Sequence, residues 1–421
     1  MRSHALSHMD RRGFLRSGIS GLLGALTLSS GTSVFADTWQ RFRKPLKHCI
    51  LLYMNGGPSH IDTFDPKPRT GIGGPFNSIR TATPGLFISE HLPQVAEQTQ
   101  HLAVIRSMTS SEGNHNRARY LVHTGYKPQG TVKHPALGSI VYSEVGDRDH
   151  ELPQFISIGN PSYGGGILGS SLDPYFIRNP SEPIENIQPP DGVDTERFKH
   201  RINMLSWVEE RFLARYGEQA GGHQQTYAKA LRLMNSDLKN AFKINEESEY
   251  VRRSYGENPF GMGCLMARRL VESGVTFVEV TLDGWDTHED NFTRSRQLMS
   301  MLDPGFAMLI KELQERHLLD TTMIIWMGEF GRTPRINRNE GRDHYPGAWS
   351  AVLAGGGVRG GQVVGQTHQN GIVSDQPVTV PDLFATIATA FGIDPSNEYY
   401  TPNGRPVQFV DNGKPVREIL I

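Results

Sequence analysis

Cysteine is nearly absent from this chain of 421 residues: Cys49 and Cys264 are the only two. That excludes a disulfide-built fold, and there is no Cys spacing of the kind that ligates a metal. Both lie in apolar runs and read as buried free thiols, with one bridge between them as the alternative. An excess of charge of either sign is also missing. The formal net charge is −1, and no basic stripe with interleaved aromatics occurs, so nucleic acid is not an expected partner. After the N-terminal segment there is no second long apolar run, so no membrane span is expected in the mature chain. There is no internal repeat, no P-loop and no G-x-S-x-G elbow. What remains is ordinary: 37% hydrophobic and 21% charged residues mark a globular protein, long enough for one large domain or two. Such a chain can bury a substantial core unaided.

The N-terminus reads as a leader. Asp10-Arg11-Arg12-Gly13-Phe14-Leu15-Arg16 is a twin-arginine pattern, an apolar stretch runs from Ile19 to Leu28, and Val34-Phe35-Ala36 offers small residues for cleavage. The apolar part is about half of the ~20 residues that a membrane anchor needs. The expected division is therefore a twin-arginine signal peptide at 1–36 and a single α/β domain at 37–421. The twin-arginine export machinery is the implied partner, and the periplasm or exterior the implied location. That route carries proteins that fold before crossing, often with a metal or cofactor loaded.

Strands and helices alternate along the rest, which predicts a three-layer αβα sandwich around a mostly parallel central sheet. Continuous apolar runs predict strands at 48–54, 101–108, 153–158, 275–282, 322–327 and 349–354. Helices are predicted at 263–273 and 294–316, and a late one opens at Thr379 as N-cap, with Pro381 in its first turn. Between about 195 and 255 the chain is polar with helical spacing at Leu231, Met234, Leu238, Ala241 and Phe242, which reads as a helical insertion. The run Gly355-Gly356-Gly357-Val358-Arg359-Gly360 satisfies G-x-G-x-x-G, but a strand follows it where the dinucleotide fingerprint needs a helix, so it reads as a turn.

Polar residues gather after the strands. The first strand runs into Asn55, Ser59, His60, Asp62 and Asp65, the second into Asn114-His115-Asn116. Asp283-Gly284-Trp285-Asp286-Thr287-His288 and Glu329 follow two more, and Asp343-His344 precedes the last. In open α/β sheets ligands bind beyond the carboxyl ends of the strands. Carboxylates and imidazoles from five segments can meet there, and they suit zinc, manganese or a similar ion. Each piece also has a plain structural reading: Asp283 and Asp286 as turn residues or helix caps, and Asn114 as the cap of a helix beginning near Arg117. Ser107, Thr109, Ser110 and Ser111 are candidate nucleophiles by type alone. Arg117 and Arg119 are candidate oxyanion binders or surface charge.

The twin-arginine leader, Leu-Tyr-Met-Asn-Gly-Gly-Pro-Ser-His-Ile-Asp-Thr-Phe-Asp-Pro-Lys-Pro at 52–68, Asp-Gly-Trp-Asp-Thr-His at 283–288, Gly-Glu-Phe-Gly-Arg-Thr-Pro at 328–334 and Gly-Arg-Asp-His-Tyr-Pro at 341–346 together resemble the bacterial DUF1501 family. That family is placed with the alkaline-phosphatase and sulfatase superfamily. The resemblance implies an alkaline-phosphatase-like fold and one or two divalent metal ions, zinc or manganese, acting on a phosphate or sulfate ester of a small molecule or glycan. Asp283 or Asp286 with His288 resembles one metal site, His344 its last His, and Glu329 the acid of a second. Asn55 stands where an Asp ligand is expected, Phe330 where a His is usual, and His115 where a hydroxyl or thiol nucleophile would be. His115, beside Asn114, is then the candidate nucleophile or general acid/base. His60 or Asp62 could complete a rearranged pair of ions, and a non-catalytic binding protein on the same fold is the alternative.

Overall fold

The strand at His48–Met54 (β1) shows how the layers form. All seven residues are buried, because helices cover both faces of the sheet. Ile50, Leu52 and Met54 point into one core, and Cys49, Leu51 and Tyr53 into the other. Each aliphatic side chain so placed contributes about 1.5–3 kcal/mol. The two cysteines are free and lie on opposite faces, Cys49 in one core and Cys264 in the other, and burial pushes both thiols up.

The computed structural model describes residues 44–184, 192–216, 231–234 and 236–421. The expected signal peptide lies outside the described residues, as does part of the expected helical insertion. Residues Pro45–Ile421 make one compact unit. Its sheet also contains β2 (Leu102–Thr109), β3 (Phe155–Ile158), β4 (Tyr175–Ile177), β5 (Phe277–Leu282), β6 (Thr322–Gly328), β9 (Trp349–Gly355), β10 (Gln362–Val364) and β11 (Val378–Thr379). A short hairpin, β7 (Gly331–Arg332) with β8 (His344–Tyr345), lies outside that sheet. The order is β10-β2-β9-β6-β1-β5-β3-β4, with β11 also on β2. Every pairing is parallel except those of β9, which runs against both β2 and β6.

One core packs beneath α5 (Pro259–Glu272) and α6 (Asn291–Glu315), the other beneath α2 (Leu137–Val145) and α7 (Val380–Phe391), so the αβα sandwich holds. Helix α5 starts four residues earlier than its periodicity predicts, because Asn258 caps it and Pro259 occupies its first turn. Helix α7 starts as expected: Thr379 and Asp382 form a capping box, and Gly392 ends the helix in the left-handed region. The glycine run at 355–360 turns into β10 with no helix. The polar stretch departs from a continuous helix. It holds α3 (Thr195–Tyr216), helical residues 231–234, then a 3₁₀ segment at Asp237–Phe242 and a short α4 (Glu249–Ser254). Ser236 interrupts the periodicity by accepting from the Leu238 amide at 3.0 Å, a local cap that restarts the chain.

Asp303 supplies a cap across space. The helix at Pro93–Glu97 has no side-chain cap of its own, and Asp303, buried on α6, accepts from the Val95 and Gln94 amides at 2.8 and 3.1 Å. Burial pushes its carboxyl up from 3.8 to about 6, against the lowering effect of those amides. Its folded value is raised, so its contribution is full below pH 3.8 and is lost as pH rises through about 6. The loss amounts to about 3 kcal/mol at most. Urea melts at pH 4 and pH 7 should show a steeper fall in stability for the wild type than for Asp303→Asn; parallel profiles would contradict this assignment.

Candidate metal centre

The site forms where β1, β5 and β6 end and β9 begins. Because β9 runs antiparallel, its entrance lies at the same edge as the exits of the parallel strands. The β7–β8 hairpin therefore delivers Asp343 and His344 to the rim from the opposite chain direction. Two glycines allow the segments to close. A Cβ on Gly56 (φ +116) would lie 2.4 Å from the Asp286 amide nitrogen, and one on Gly341 would lie 1.8 Å from the His288 carbonyl oxygen.

Helix α1 (His115–Thr124) brings in the remaining imidazole. Asn114 is its N-cap and accepts from the Arg117 amide at 3.3 Å, so the capping reading applies to Asn114 and the helix starts at His115 itself. Arg117 makes two bonds to Glu112, at 2.7 and 2.8 Å. Arg119 bonds the Pro161 carbonyl and lies 5.9 Å from the ring centres of Tyr53 and Tyr163.

Among the described residues, His115, Asp286 and His344 form a group whose ligand atoms all lie within 4.8 Å of one another and can hold a metal ion. His115 Nε2 is 3.3 Å from Asp286 Oδ2, and His344 Nε2 is 3.3 Å from Asp286 Oδ1. His288 adjoins them, with Nε2 3.2 Å from Asp286 Oδ1 and 2.9 Å from His344 Nε2. Each ring is tied through its other nitrogen. His115 Nδ1 bonds Glu329 Oε1 at 2.7 Å, His288 Nδ1 bonds Asp343 Oδ1 at 2.9 Å, and His344 Nδ1 bonds the Gly113 carbonyl at 2.8 Å. A carbonyl can only accept, so His344 Nδ1 carries the hydrogen, and ionised carboxylates assign the other two rings the same tautomer. Three Nε2 lone pairs then face one carboxylate. Two of them stand 2.9 Å apart, close enough to share a cation or a proton. His115 Nε2 is buried with no hydrogen-bond partner. Imidazoles oriented by carboxylates and a carbonyl, with free nitrogens converging, fit a divalent ion.

The surrounding charges agree. Burial pushes Asp286 up, but the hydrogen bond and charge of Arg332, with His115, hold it at about 2. The hydrogen bond to Glu329 raises His115, burial lowers His344, and the hydrogen bond to His288 lowers Asp343.

Several residues expected in the site have other partners. Glu329 is fully buried and accepts from Tyr53 Oη at 2.9 Å, from the Gly56 amide at 2.9 and 3.1 Å and from His115, so it lies behind His115 instead of beside an ion. Asp283 accepts from Asn55 Nδ2 at 2.6 Å and from Asn160 Nδ2 at 2.8 and 2.9 Å, so Asn55 and Asp283 complete each other. His60 is sealed in the interior, with Nε2 3.0 Å from the Gly371 carbonyl. Asp62 is sealed there too, paired with Arg342 at 2.8 and 3.0 Å. The hydroxyls of Ser107 and Thr109 bond backbone carbonyls, and Ser110 Oγ accepts from the Glu112 amide. Phe330 packs against the rings of His115 and His344, with centroids 4.9 and 4.7 Å away, which makes an apolar wall where a ligand was expected. Sequence reading passed over Arg332, Tyr53 and the Gly113 carbonyl. Arg332 lies within the segment 328–334, but nothing in the sequence marks it as buried. A cavity of about 550 Å³ lies elsewhere, along β4, and is lined by none of these residues.

An αβα sandwich with imidazoles and a carboxylate at its strand ends is the class of protein defined here. The chain belongs to the family described as "Protein of unknown function (DUF1501)", whose model matches residues 46–420. Comparison with curated proteins finds no match. Among solved structures, the chain is similar to the PsFucS1 sulfatase from Pseudoalteromonas sp., at 14% identity and a TM-score of 0.40, covering 85% of this chain and 70% of that one. It is also similar to the lipoteichoic acid synthase LtaP from Listeria monocytogenes, at 9% identity and a TM-score of 0.39, covering 87% and 75%. An alkaline-phosphatase-superfamily protein from Vibrio parahaemolyticus matches at 12% identity and a TM-score of 0.36, covering 84% and 68%. These scores are too low to transfer a site. No helix among the described residues is long and apolar enough to cross a membrane.

Proposed function

We propose that this protein is an exported, metal-dependent hydrolase of phosphate or sulfate esters, with His115, Asp286, His344 and His288 holding a divalent ion such as zinc or manganese. The observation that carries the reading is the convergence of three Nε2 atoms, each ring tied through Nδ1, on the Asp286 carboxylate. When bound, such an ion supplies Lewis-acid polarisation of the ester and a water nucleophile at neutral pH. The chain's own groups do the rest. Glu329, Asp343 and the Gly113 carbonyl fix the rings, and Arg332 fixes Asp286. Phe330 excludes water from one side of the imidazoles. His115 thus changes role from nucleophile to ligand; the hydroxyls of Ser107, Thr109 and Ser110 are engaged in local structure, which leaves water or Ser111 to attack. The substrate class is a small-molecule or glycan ester. Export rests on the twin-arginine pattern at 10–16.

The test is elemental analysis of protein purified without chelators, followed by aryl phosphate and aryl sulfate turnover before and after chelator treatment. Bound zinc or manganese with chelator-sensitive turnover is the expected result. A folded, metal-free protein would overturn the reading. Bound metal without turnover of any ester would favour a non-catalytic binding protein on this fold.

A further inference from the structure

Arg332 is the one group in the centre whose charge no ligand, proton or solvent change can remove. Its side chain is fully buried. Its guanidinium bonds Asp286 Oδ1 at 2.6 Å, the Gly57 carbonyl at 3.0 Å, the Arg342 carbonyl at 3.2 Å and the Gly56 carbonyl. Those acceptors come from three separate segments: the loop after β1, the loop after β5 and the hairpin loop before β8. A guanidinium stays charged at any ordinary pH, and a buried one needs a counter-charge. Asp286 is that counter-charge, and it is also the carboxylate that His115, His288 and His344 surround.

Three other strand-end carboxylates already accept from several donors, and Asp343 accepts from His288 and Asn337 through Oδ1. Glu329 is filled by Tyr53, Gly56 and His115, Asp283 by Asn55 and Asn160, and Asp62 by Arg342 and Asn291. A second ion would have to displace several of these bonds, and it would sit beside a guanidinium that repels it.

We infer that the Arg332 guanidinium is a permanent cation of this centre, taking the place of a second metal ion, so that the centre holds a single divalent ion. The inference rests on the metal-centre reading above. It gives the centre a fixed positive charge independent of metal supply. It also predicts competition: the bound ion and Arg332 share Asp286, so each weakens the other's hold on it.

The experiment is calorimetric titration of the chelator-stripped full chain with Mn²⁺ and Zn²⁺, for the wild type, Arg332→Gln and Arg332→Lys. The wild type should bind one equivalent. Arg332→Gln removes the charge but keeps a donor towards Asp286, and should bind its ion at least tenfold tighter. Arg332→Lys keeps the charge and should bind one equivalent with no such gain, which serves as the readout if the Gln variant fails to fold. Two equivalents in the wild type would overturn the inference and leave the metal-centre reading standing. Unchanged or weaker binding in a folded Arg332→Gln would overturn it too, as would a tenfold gain in Arg332→Lys. No binding by the wild type would instead remove the metal centre itself.

Discussion

Asp62→Ala should lower the unfolding free energy by about 3–5 kcal/mol, the usual effect of leaving one partner of a buried ion pair alone. Arg342 and Asp62 are both sealed from solvent. Asp62 accepts from Arg342 Nε and Nη2 and from Asn291 Nδ2. Without the carboxylate, Arg342 retains the carbonyls of Ile72, Thr333 and Pro334 and the Phe292 ring, which contact its charge but do not neutralise it. The effect should reach the centre as well, because Asp343 and His344 directly follow Arg342. Urea unfolding of Asp62→Ala and of an Asp62→Leu/Arg342→Met double variant separates the causes. The double variant should recover much of the loss, since two well-packed apolar side chains can replace a buried pair at little cost. A single variant within 1 kcal/mol of the wild type would show that the pair is not what holds this loop.

The second large effect is on metal affinity. Glu329→Gln should weaken binding about 10–100-fold while leaving the fold intact, the range seen when the group orienting a metal-bound histidine is altered. The amide matches the carboxylate in shape and can still accept from His115 Nδ1 and the Gly56 amide. What it loses is the charge that makes the His115 ring a stronger donor towards an ion. Competition against a chromophoric chelator, with circular dichroism to confirm folding, measures this directly. Wild-type affinity in the variant would mean that His115 is not a ligand, and the centre would need to be redrawn around His288 and His344.

Much of the scaffold could be read in advance. The run at 48–54 stops at Asn55-Gly56-Gly57-Pro58, and β1 ends there because the chain needs a positive φ at Gly56 for the Asp286 loop to pack against it. Thr379 reads as a cap from local chemistry alone, and it is one. The site was legible as a collection of residues but not as an arrangement. Residues 349–354 look like one more strand, and nothing local shows that β9 runs backwards, which is what brings His344 to the rim. Glu329 and His115 have the residue types of ligand and base, yet their order around the centre is set by Tyr53 and Gly56, more than 270 residues before Glu329. His60 and Asp62 share a polar loop with Asn55, and only the packing of Arg342 and Gly371 against that loop shows that they face inward.

The reversed strand has a consequence for biosynthesis. Among the described residues, β2 hydrogen-bonds in the sheet only to β9, β10 and β11, and all three come from the last quarter of the chain. As the protein emerges from the ribosome, the apolar segment at 102–109 has no sheet neighbour until more than half of the chain has followed it. At ~5–20 residues per second that wait lasts on the order of tens of seconds. An apolar strand with both edges open for that long is a template for aggregation. Nascent chains truncated just before Trp349 should therefore be held by chaperones or lost to aggregation, whereas chains extended past Thr379 should become protease-resistant in one step.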